Sequence, residues 1–140
     1  MIDLHVHSTA SDGLIPPGEI PAMAAKIGLT AVALTDHDTV DGVAEFMKAA
    51  EAYPQVMAIP GVELSVQYCS RELHFVGLFV DPENETLGEY LAAQRQERAE
   101  RAERMRARLT SLGYPITQEE LYEVCGNDCP GRPHFAAILV

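Results

Sequence analysis

Ile2-Asp3-Leu4-His5-Val6-His7 is an apolar stretch that ends in two histidines, and Asp12 follows five residues after His7. Side chains alternate between the two faces of a β-strand, so His5 and His7 are expected to point the same way. Both imidazoles can then bind one divalent ion, and Asp12 can reach that ion or a neighbouring one from the following loop. The stretch therefore predicts a strand that leads into a metal-binding loop.

Further metal-binding side chains follow later apolar runs. His37 comes directly after the run 30–35, Glu63 lies at the end of the run 57–64, and His74 lies near the start of the run 73–80. The carboxyl ends of parallel strands form the rim at which α/β sheets and barrels build their sites. His74 fits this rule only if its strand begins upstream, within residues 65–70. The joint occurrence of these residues favours metal binding, whereas each alone has an ordinary structural explanation.

The first part of the chain alternates strands with short helices. The apolar runs predict strands over Ile2–His7, Thr30–Thr35, Met57–Leu64 and Leu73–Val80. Helices are predicted over Glu19–Ile27 and Val43–Ala52, with loops at Ser8–Gly18 and Asp36–Gly42. This order predicts an α/β fold built from parallel βαβ units.

The chain changes character after Asp81-Pro82. A long helix is predicted over Leu87–Leu112, and Thr117 with Glu120 forms a capping-box pattern before a helix over Glu119–Cys125. A third apolar run covers His134–Val140. We expect residues 1–80 to form the βα units, residues 81–131 a helical insertion, and residues 132–140 a return to the first part.

The long helix is rich in arginine. Six of the ten basic residues lie on it, and they are Arg95, Arg98, Arg101, Arg104, Arg106 and Arg108. Pairs such as Glu97–Arg101 and Glu100–Arg104 stabilise an exposed helix by only about 0.2–0.5 kcal/mol each. The basic face is interpreted first as a solvated, salt-bridged surface. The alternatives are a surface that guides an anionic substrate and a partner-binding helix.

Composition narrows the possible partners. The chain has 140 residues, is 47% hydrophobic and has a formal charge of −11, which disfavours binding to a DNA duplex. Apolar runs are too short for a membrane span, and no signal-peptide pattern opens the chain. The odd number of cysteines argues against a disulfide framework, and Cys125 and Cys129 are expected to be ordinary thiols. These observations predict a cytoplasmic protein with no membrane partner and leave its oligomeric state open.

The candidate ligands are nitrogen and carboxylate oxygen without thiolate. This set suits zinc, manganese or iron(II). A carboxylate such as Glu63 can bridge two ions, which together activate water and hold a phosphate, so that no serine or cysteine nucleophile is needed. Arg132 and His134 also lie close in sequence and suit phosphate recognition. His134 can alternatively cap a helix or bind metal.

These residues resemble the successive motifs of the PHP (polymerase and histidinol phosphatase) family. The matching segments are His5-Val6-His7-Ser8, Asp12-Gly13, Thr35-Asp36-His37-Asp38-Thr39, Gly61-Val62-Glu63 and His74. The segment Gly131-Arg132-Pro133-His134-Phe135-Ala136 is similar to that of stand-alone PHP phosphoesterases, which include nucleoside 3′,5′-bisphosphate phosphatases and a 5′→3′ exoribonuclease. The resemblance implies the N-terminal half of a distorted (β/α)7 barrel with a small helical insertion.

The resemblance also implies a chemistry. Two or three ions, most often Mn²⁺ and sometimes Zn²⁺ or Fe²⁺, would be bound by His5 and His7, by Asp12 and His37, and by His74, with Glu63 shared. A metal-bound hydroxide would attack phosphorus in pAp-like nucleotides or short RNA, with Arg132 and His134 facing the phosphate. The alternatives are a histidinol-phosphate-type phosphomonoesterase and a non-catalytic PHP module.

The family pattern has further ligands downstream of Val140. We therefore expect the chain to be the N-terminal part of a longer protein, and activity is not expected from the 140-residue piece alone. A self-contained enzyme would need a second chain to complete the barrel.

Overall fold

A computed structural model describes residues 1–69, 71–126 and 130–140. The strands are β1 (Ile2–Val6), β2 (Ala31–Leu34), β3 (Met57–Tyr68) and β4 (Arg71–Leu78). The α-helices are α1 (Ile20–Lys26), α2 (Val43–Ala50), α3 (Glu85–Ser111), α4 (Gln118–Cys125) and α5 (Arg132–Leu139). A short 3₁₀ helix, Pro17–Glu19, precedes α1. The predicted α/β class is confirmed.

The strands form one sheet in the order β1-β2-β3-β4. β1 and β2 are parallel, and so are β2 and β3, with Ala31 opposite Met57 and Leu34 opposite Pro60. Helices α1 and α2 connect these strands, as βαβ units require. The prediction of parallel pairing is confirmed for the first three strands.

The fourth strand runs antiparallel to β3, so the prediction of parallel pairing is wrong for it. β3 ends at Tyr68 and β4 begins at Arg71, and two intervening residues cannot make the crossover of a dozen or more that a parallel neighbour needs. β3 is also longer than the predicted run. Its pairing with β2 ends at Pro60, and from Gly61 onward it pairs with β4.

The main core lies between the parallel strands and the first two helices. Its buried members are Ile20, Ala24, Leu29, Val32, Leu34, Val43, Phe46 and Val56. The opposite face of β2 carries Ala31 and Ala33, which pack with Ile59. Alternate residues of β2 therefore bury both faces of the strand, which explains why its sequence is continuously apolar.

The later helices build a second cluster. Ala102 of α3, Ile116, Leu121 of α4 and Phe135 of α5 are buried together. Thr117 and Glu120 form the predicted capping box at the start of α4. Asn84 accepts a hydrogen bond from the amide of Leu87 at the start of α3.

Two further expectations concern cysteines and membrane spans. Cys69 is an exposed free thiol and Cys125 is buried, whereas Cys129 lies outside the described residues. Within residues 1–69, 71–126 and 130–140, no helix is long and apolar enough to cross a membrane.

Candidate metal centre

The loop after β1 places His7 next to Asp12. Nδ1 of His7 lies 2.8 Å from Oδ1 of Asp12. The loop folds back tightly, with the amide of Gly13 donating to the carbonyl of Ser8. A Cβ on Gly13 would lie 2.4 Å from the carbonyl oxygen of His7, closer than real contacts allow. Only glycine therefore fits directly after Asp12 in this conformation.

Asp36 ties that loop to the end of β2. Its carboxylate accepts hydrogen bonds from the amide of Ser8 at 2.7 Å, from the hydroxyl of Ser8 at 2.6 Å and from the hydroxyl of Ser11 at 2.6 Å. Asp36 is only 1% exposed. A buried carboxylate needs such partners, so Asp36 fixes the residue that follows His7 and the residue that precedes Asp12.

His37 lies where the backbone after β2 meets Glu63 of β3. The amide of Glu63 donates to the carbonyl of Asp36 at 3.1 Å, and the amide of Asp38 donates to the carbonyl of Glu63 at 2.9 Å. These two hydrogen bonds place His37 directly beside Glu63. Glu63 was predicted at the end of its strand; it lies instead inside β3, just beyond the parallel pairing with β2.

Glu63 is surrounded by imidazoles. Its Oε2 lies 2.8 Å from Nε2 of His5, 2.8 Å from Nε2 of His7 and 3.5 Å from Nδ1 of His37. Its Oε1 lies 2.7 Å from Nδ1 of His74. One oxygen of this carboxylate faces three histidines and the other faces a fourth, an arrangement that suits a carboxylate shared between two ions.

The antiparallel direction of β4 explains how His74 reaches this cluster. His74 pairs with Ser65, two residues after Glu63 on the same face of β3. A residue near the start of an antiparallel β4 therefore lies beside the same region as the carboxyl ends of the parallel strands.

The structure brings the six predicted ligand residues together in three overlapping groups. The groups are His5, His7 and Glu63; His7, Asp12 and His37; and His37, Glu63 and His74, with ligand atoms within 4.8 Å of one another in each group. Nδ1 of His37 is buried and, among the described residues, has no hydrogen-bond partner. A buried nitrogen without a partner is costly unless something binds it. Nitrogen and oxygen donors at this spacing fit divalent ions.

The ionisation of these residues suits a cation. Burial and the nearby charge of Arg98 lower the pKa of His37 to about 4, so its ring is neutral near pH 7. The hydrogen bond with His7 lowers the pKa of Asp12 to about 2 against the opposing effect of burial. Burial acts to lower the pKa of His7, but Asp12, Glu63 and Asp36 outweigh it and the pKa is raised. Burial likewise opposes the lowered pKa of Glu63, which follows mainly from the histidines around it.

Arg132 and His134 lie at the start of α5, near the loop after β1. A Cβ on Gly131 would lie 3.8 Å from Oδ2 of Asp12. Nδ1 of buried His134 accepts a hydrogen bond from the amide of Gly131 at 2.9 Å, so His134 caps the helix. With Nδ1 accepting, the neutral ring has its proton on Nε2 and can donate from that atom. The exposed side chain of Arg132 lies 3.6 Å from Oε2 of Glu72.

Sequence reasoning missed Glu72. Its Oε1 lies 3.6 Å from Nε2 of His74 and is hydrogen-bonded by Arg101, while its other oxygen faces Arg132. Nothing in the spacing of Glu72 distinguishes it from other strand carboxylates, because its partners come from α3 and α5.

The arginines of α3 were interpreted first as a solvated face, and this is wrong for Arg98. Arg98 is 8% exposed and binds Asp38, which is fully buried. Arg101 donates a hydrogen bond to Glu72 of β4. Arg104 is exposed as predicted, and its guanidinium lies 3.8 Å from the carboxylate of Glu100. The basic side of α3 therefore contacts the sheet through two arginines that the helical pattern alone does not single out.

Two curated proteins and one solved structure are similar to this chain over nearly its whole length. A 3′,5′-nucleoside bisphosphate phosphatase of Chromobacterium violaceum is 39% identical over 140 residues, which are 99% of this chain and 49% of that protein. The 5′-3′ exoribonuclease Rnm of Escherichia coli is 34% identical over 139 residues, 99% of this chain and 47% of the exoribonuclease. A solved amidohydrolase structure from C. violaceum, with bound sulfate and no metal, superimposes with a TM-score of 0.90 at 38% identity. It is matched over 99% of this chain and 49% of its own.

Fold and site together define an α/β protein of the half-barrel type, with a cluster of histidines and carboxylates beside the carboxyl ends of the parallel strands. The PHP domain model matches residues 3–122, and the chain belongs to the PHP family. The resemblance drawn from the motifs is confirmed. The chain spans about half the length of the curated relatives that it matches.

Proposed function

We propose that this chain forms the metal-binding part of a hydrolase that cleaves phosphate esters of nucleotides. The observation behind this proposal is the convergence of four imidazoles on the two carboxylate oxygens of Glu63, at distances between 2.7 and 3.5 Å. Hydrogen bonding alone does not require four histidines around one carboxylate. A cluster of metal ions explains this arrangement, because each ion needs several nitrogen and oxygen donors.

The proposed ligands divide among two or three ions. His5 and His7 would hold one ion with Glu63, Asp12 and His37 a second, and His74 a third together with Glu63. When bound, the ions lower the pKa of water and neutralise phosphate charge. Imidazole and carboxylate donors without thiolate suit manganese, zinc or iron(II). Manganese is proposed first because the resemblance to the PHP family implies it, with zinc or iron(II) as alternatives. No side chain is assigned as the nucleophile.

Phosphate recognition is proposed for the start of α5. Arg132 offers a guanidinium that can bind two phosphate oxygens, and it is 70% exposed. His134 can donate from Nε2 while its Nδ1 caps the helix. The N-terminal end of a helix also favours an anion. These groups would hold the phosphate beside Asp12 and the ions.

The proposed substrates are small. The relatives named above are a nucleoside bisphosphate phosphatase and a 5′-3′ exoribonuclease, which supports 3′,5′-bisphosphate nucleotides such as pAp and short RNA. A net charge of −11 repels a long polyanion, so a nucleotide or short RNA is favoured over a DNA duplex. An odd number of cysteines supports a cytoplasmic setting.

We propose that the chain divides into three parts. Residues 1–80 would form the barrel part, 81–131 the helical insertion, and 132–140 a return to the barrel. The position of Gly131 beside Asp12 supports this return. Phe135 of the same helix packs with the insertion, so α5 contacts both parts.

The test combines metal content with substrate choice. The purified full-length protein is dialysed against Mn²⁺, and its metal is counted by elemental analysis. Phosphate release is measured from adenosine 3′,5′-bisphosphate and histidinol phosphate, and release of 5′-mononucleotides is measured from 5′-phosphorylated short RNA. We expect two or three ions and turnover of one of the nucleotide substrates. Turnover of histidinol phosphate alone would replace the proposed substrate class. Bound metal without turnover would favour a non-catalytic module, and absence of bound metal would refute the proposal.

A further inference from the structure

A buried ion pair joins helix α3 to the backbone that holds the metal centre. Nε of Arg98 donates to Oδ2 of Asp38, and its Nη2 donates to the hydroxyl of Ser65 at 2.9 Å. The carboxylate of Asp38 also accepts from the amide and the hydroxyl of Ser65, both at 2.7 Å. Asp38 is 0% exposed, and Ser65 and Arg98 are each 8% exposed. We call these three residues the Arg98 clamp.

The clamp lies next to two of the proposed metal ligands. Asp38 directly follows His37, and Ser65 is two residues after Glu63 on the same face of β3. Asp38 has a φ of 49°, a left-handed conformation that is uncommon for a residue with a side chain. Its amide donates to the carbonyl of Glu63. The backbone that turns His37 toward Glu63 is therefore held from the side chain of Asp38.

The charge of Asp38 makes Arg98 necessary at this position. Removing one partner of a buried pair leaves an uncompensated charge away from water. The only described ion pair of Asp38 is with Arg98, and the two residues are 60 apart in sequence. Arginine suits the role because its planar fork contacts two acceptors at once, here the carboxylate and the hydroxyl of Ser65.

Helix α3 contacts the sheet at this point and also through Arg101, which donates to Glu72 of β4. Its buried residues are Leu91, Arg98 and Ala102. Tyr90 adds a second polar contact, donating from its hydroxyl to the carbonyl of Ser65 at 2.8 Å. Two side chains of the helix therefore converge on Ser65, which makes this residue the junction between α3 and the centre.

We propose that Arg98 is a positioning residue for the metal centre, acting through Asp38 and Ser65 to set the separation of His37 and Glu63. This inference rests on the proposed function, because it assumes that His37 and Glu63 bind ions. Arg98 is not proposed as a metal ligand, because its described partners are Asp38 and Ser65. Residues that hydrogen-bond a metal ligand commonly change metal affinity by about 10–100-fold when they are removed, and Arg98 would act through residues adjacent to the ligands.

Two variants and a matched control test the role. Arg98→Met removes the charge and both hydrogen bonds while keeping an extended side chain. Arg98→Lys keeps the charge but cannot reproduce the fork. Arg95→Met is the control. Arg95 lies about one turn earlier on α3, its side chain is 38% exposed, and its guanidinium is 3.9 Å from the carboxylate of Asp41, too far for a hydrogen bond. For each purified protein, the Mn²⁺ dissociation constant and stoichiometry are measured by titration calorimetry, and the melting temperature is measured without metal.

The expected order of Mn²⁺ affinities distinguishes a positioning role for Arg98 from a role in fold stability alone. Arg98→Met should bind Mn²⁺ at least tenfold more weakly than the parent, Arg98→Lys should lie between them, and Arg95→Met should match the parent. A residue that only stabilises the fold would lower the melting temperature and leave the affinity of the folded protein unchanged. An Arg98→Met affinity within twofold of the parent overturns the inference, as does an equal loss in Arg95→Met.

Two further outcomes remain decisive. If Arg98→Met does not fold, Arg98→Lys decides, and an affinity within twofold of the parent overturns the inference. If the parent protein binds no Mn²⁺, Zn²⁺ or Fe²⁺, the proposed function fails and this inference fails with it. Loss of affinity confined to the Arg98 variants supports both.

Discussion

Nδ1 of His74 lies 2.7 Å from Oε1 of Glu63, although the two residues are on strands that run in opposite directions. The other three histidines approach Glu63 from β1, from the loop directly after β1 and from the loop after β2, all on the parallel side of the sheet. The β3–β4 hairpin thus supplies a fourth imidazole from the side that the parallel strands leave open. Glu63 is the residue that both halves of the cluster share.

The shared position of Glu63 leads to the first prediction. Glu63→Gln keeps the size of the side chain but removes the negative charge between the four imidazoles. We expect Mn²⁺ affinity to fall by more than about 100-fold, beyond the usual effect of an outer partner. Elemental analysis after dialysis measures the loss. Glu51→Gln, at an exposed position after α2, should retain the full metal content.

Metal binding should also depend on pH through His7. An imidazole binds metal only when it is neutral, so protons compete with the ion. The pKa of His7 is raised above its ordinary value of 6.5, whereas that of His37 is lowered to about 4. Mn²⁺ affinity should therefore fall as pH decreases from about 8 to about 6, where His7 becomes protonated and His37 stays neutral.

Calorimetry in buffers of different ionisation enthalpy measures this effect as proton release on binding. Release should be larger at the lower pH, where more His7 is protonated before the ion binds. An affinity that stays constant over this range would show that His7 does not bind the ion.

The sequence was sufficient to predict that several candidate ligands lie together at the ends of the parallel strands. His5, His7 and His37 follow apolar runs, and the α/β pattern places the ends of such runs together. The antiparallel β4 was not predicted, because an apolar run does not reveal its direction. The two-residue separation between β3 and β4 is the signal that was available, and it depends on knowing that β3 extends to Tyr68.

The partners that support the ligands were harder to predict. Asp36 and Asp38 flank His37 and were part of the recognised motif, but their roles depend on Ser8 and on Arg98, which are distant in sequence. A repeating pattern of arginines along a helix predicts a basic face without showing which member is buried. Only tertiary packing distinguishes Arg98 from Arg95.

Glycine at position 13 gives the third prediction. Gly13→Ala would place a Cβ within 2.4 Å of the carbonyl oxygen of His7, so the loop that holds Asp12 must shift. We expect a loss of about 1–3 kcal/mol in unfolding free energy, together with weaker metal binding. Chemical denaturation and Mn²⁺ titration measure the two effects.

Gly88→Ala is the matched control, because nothing lies within 4 Å of its Cβ position and it lies inside α3. It should stabilise the protein by about 0.5–1 kcal/mol and leave metal binding unchanged. Equal behaviour of the two alanine variants would contradict the close packing at Gly13.

Arg132 gives the fourth prediction, which separates phosphate recognition from metal binding. Arg132→Ala removes an exposed guanidinium and no proposed ligand, so metal content should be unchanged. With adenosine 3′,5′-bisphosphate, kcat/KM should fall by about 10–100-fold, as expected for the loss of charge-assisted hydrogen bonds. Arg108→Ala, on the exposed side of α3, should retain the parent value. A loss of bound metal in Arg132→Ala would contradict the assignment.

The most direct test of the account is an anomalous difference map at the manganese absorption edge, from crystals of the protein loaded with Mn²⁺. We predict at least two peaks around Glu63, one beside the imidazoles of His5 and His7 and one beside Asp12 and His37. Each peak should lie about 2.0–2.3 Å from its nitrogen and oxygen ligands, the usual range for a divalent ion with these donors. A map with manganese elsewhere and no peak at Glu63 would contradict the central claim that this cluster is a metal centre.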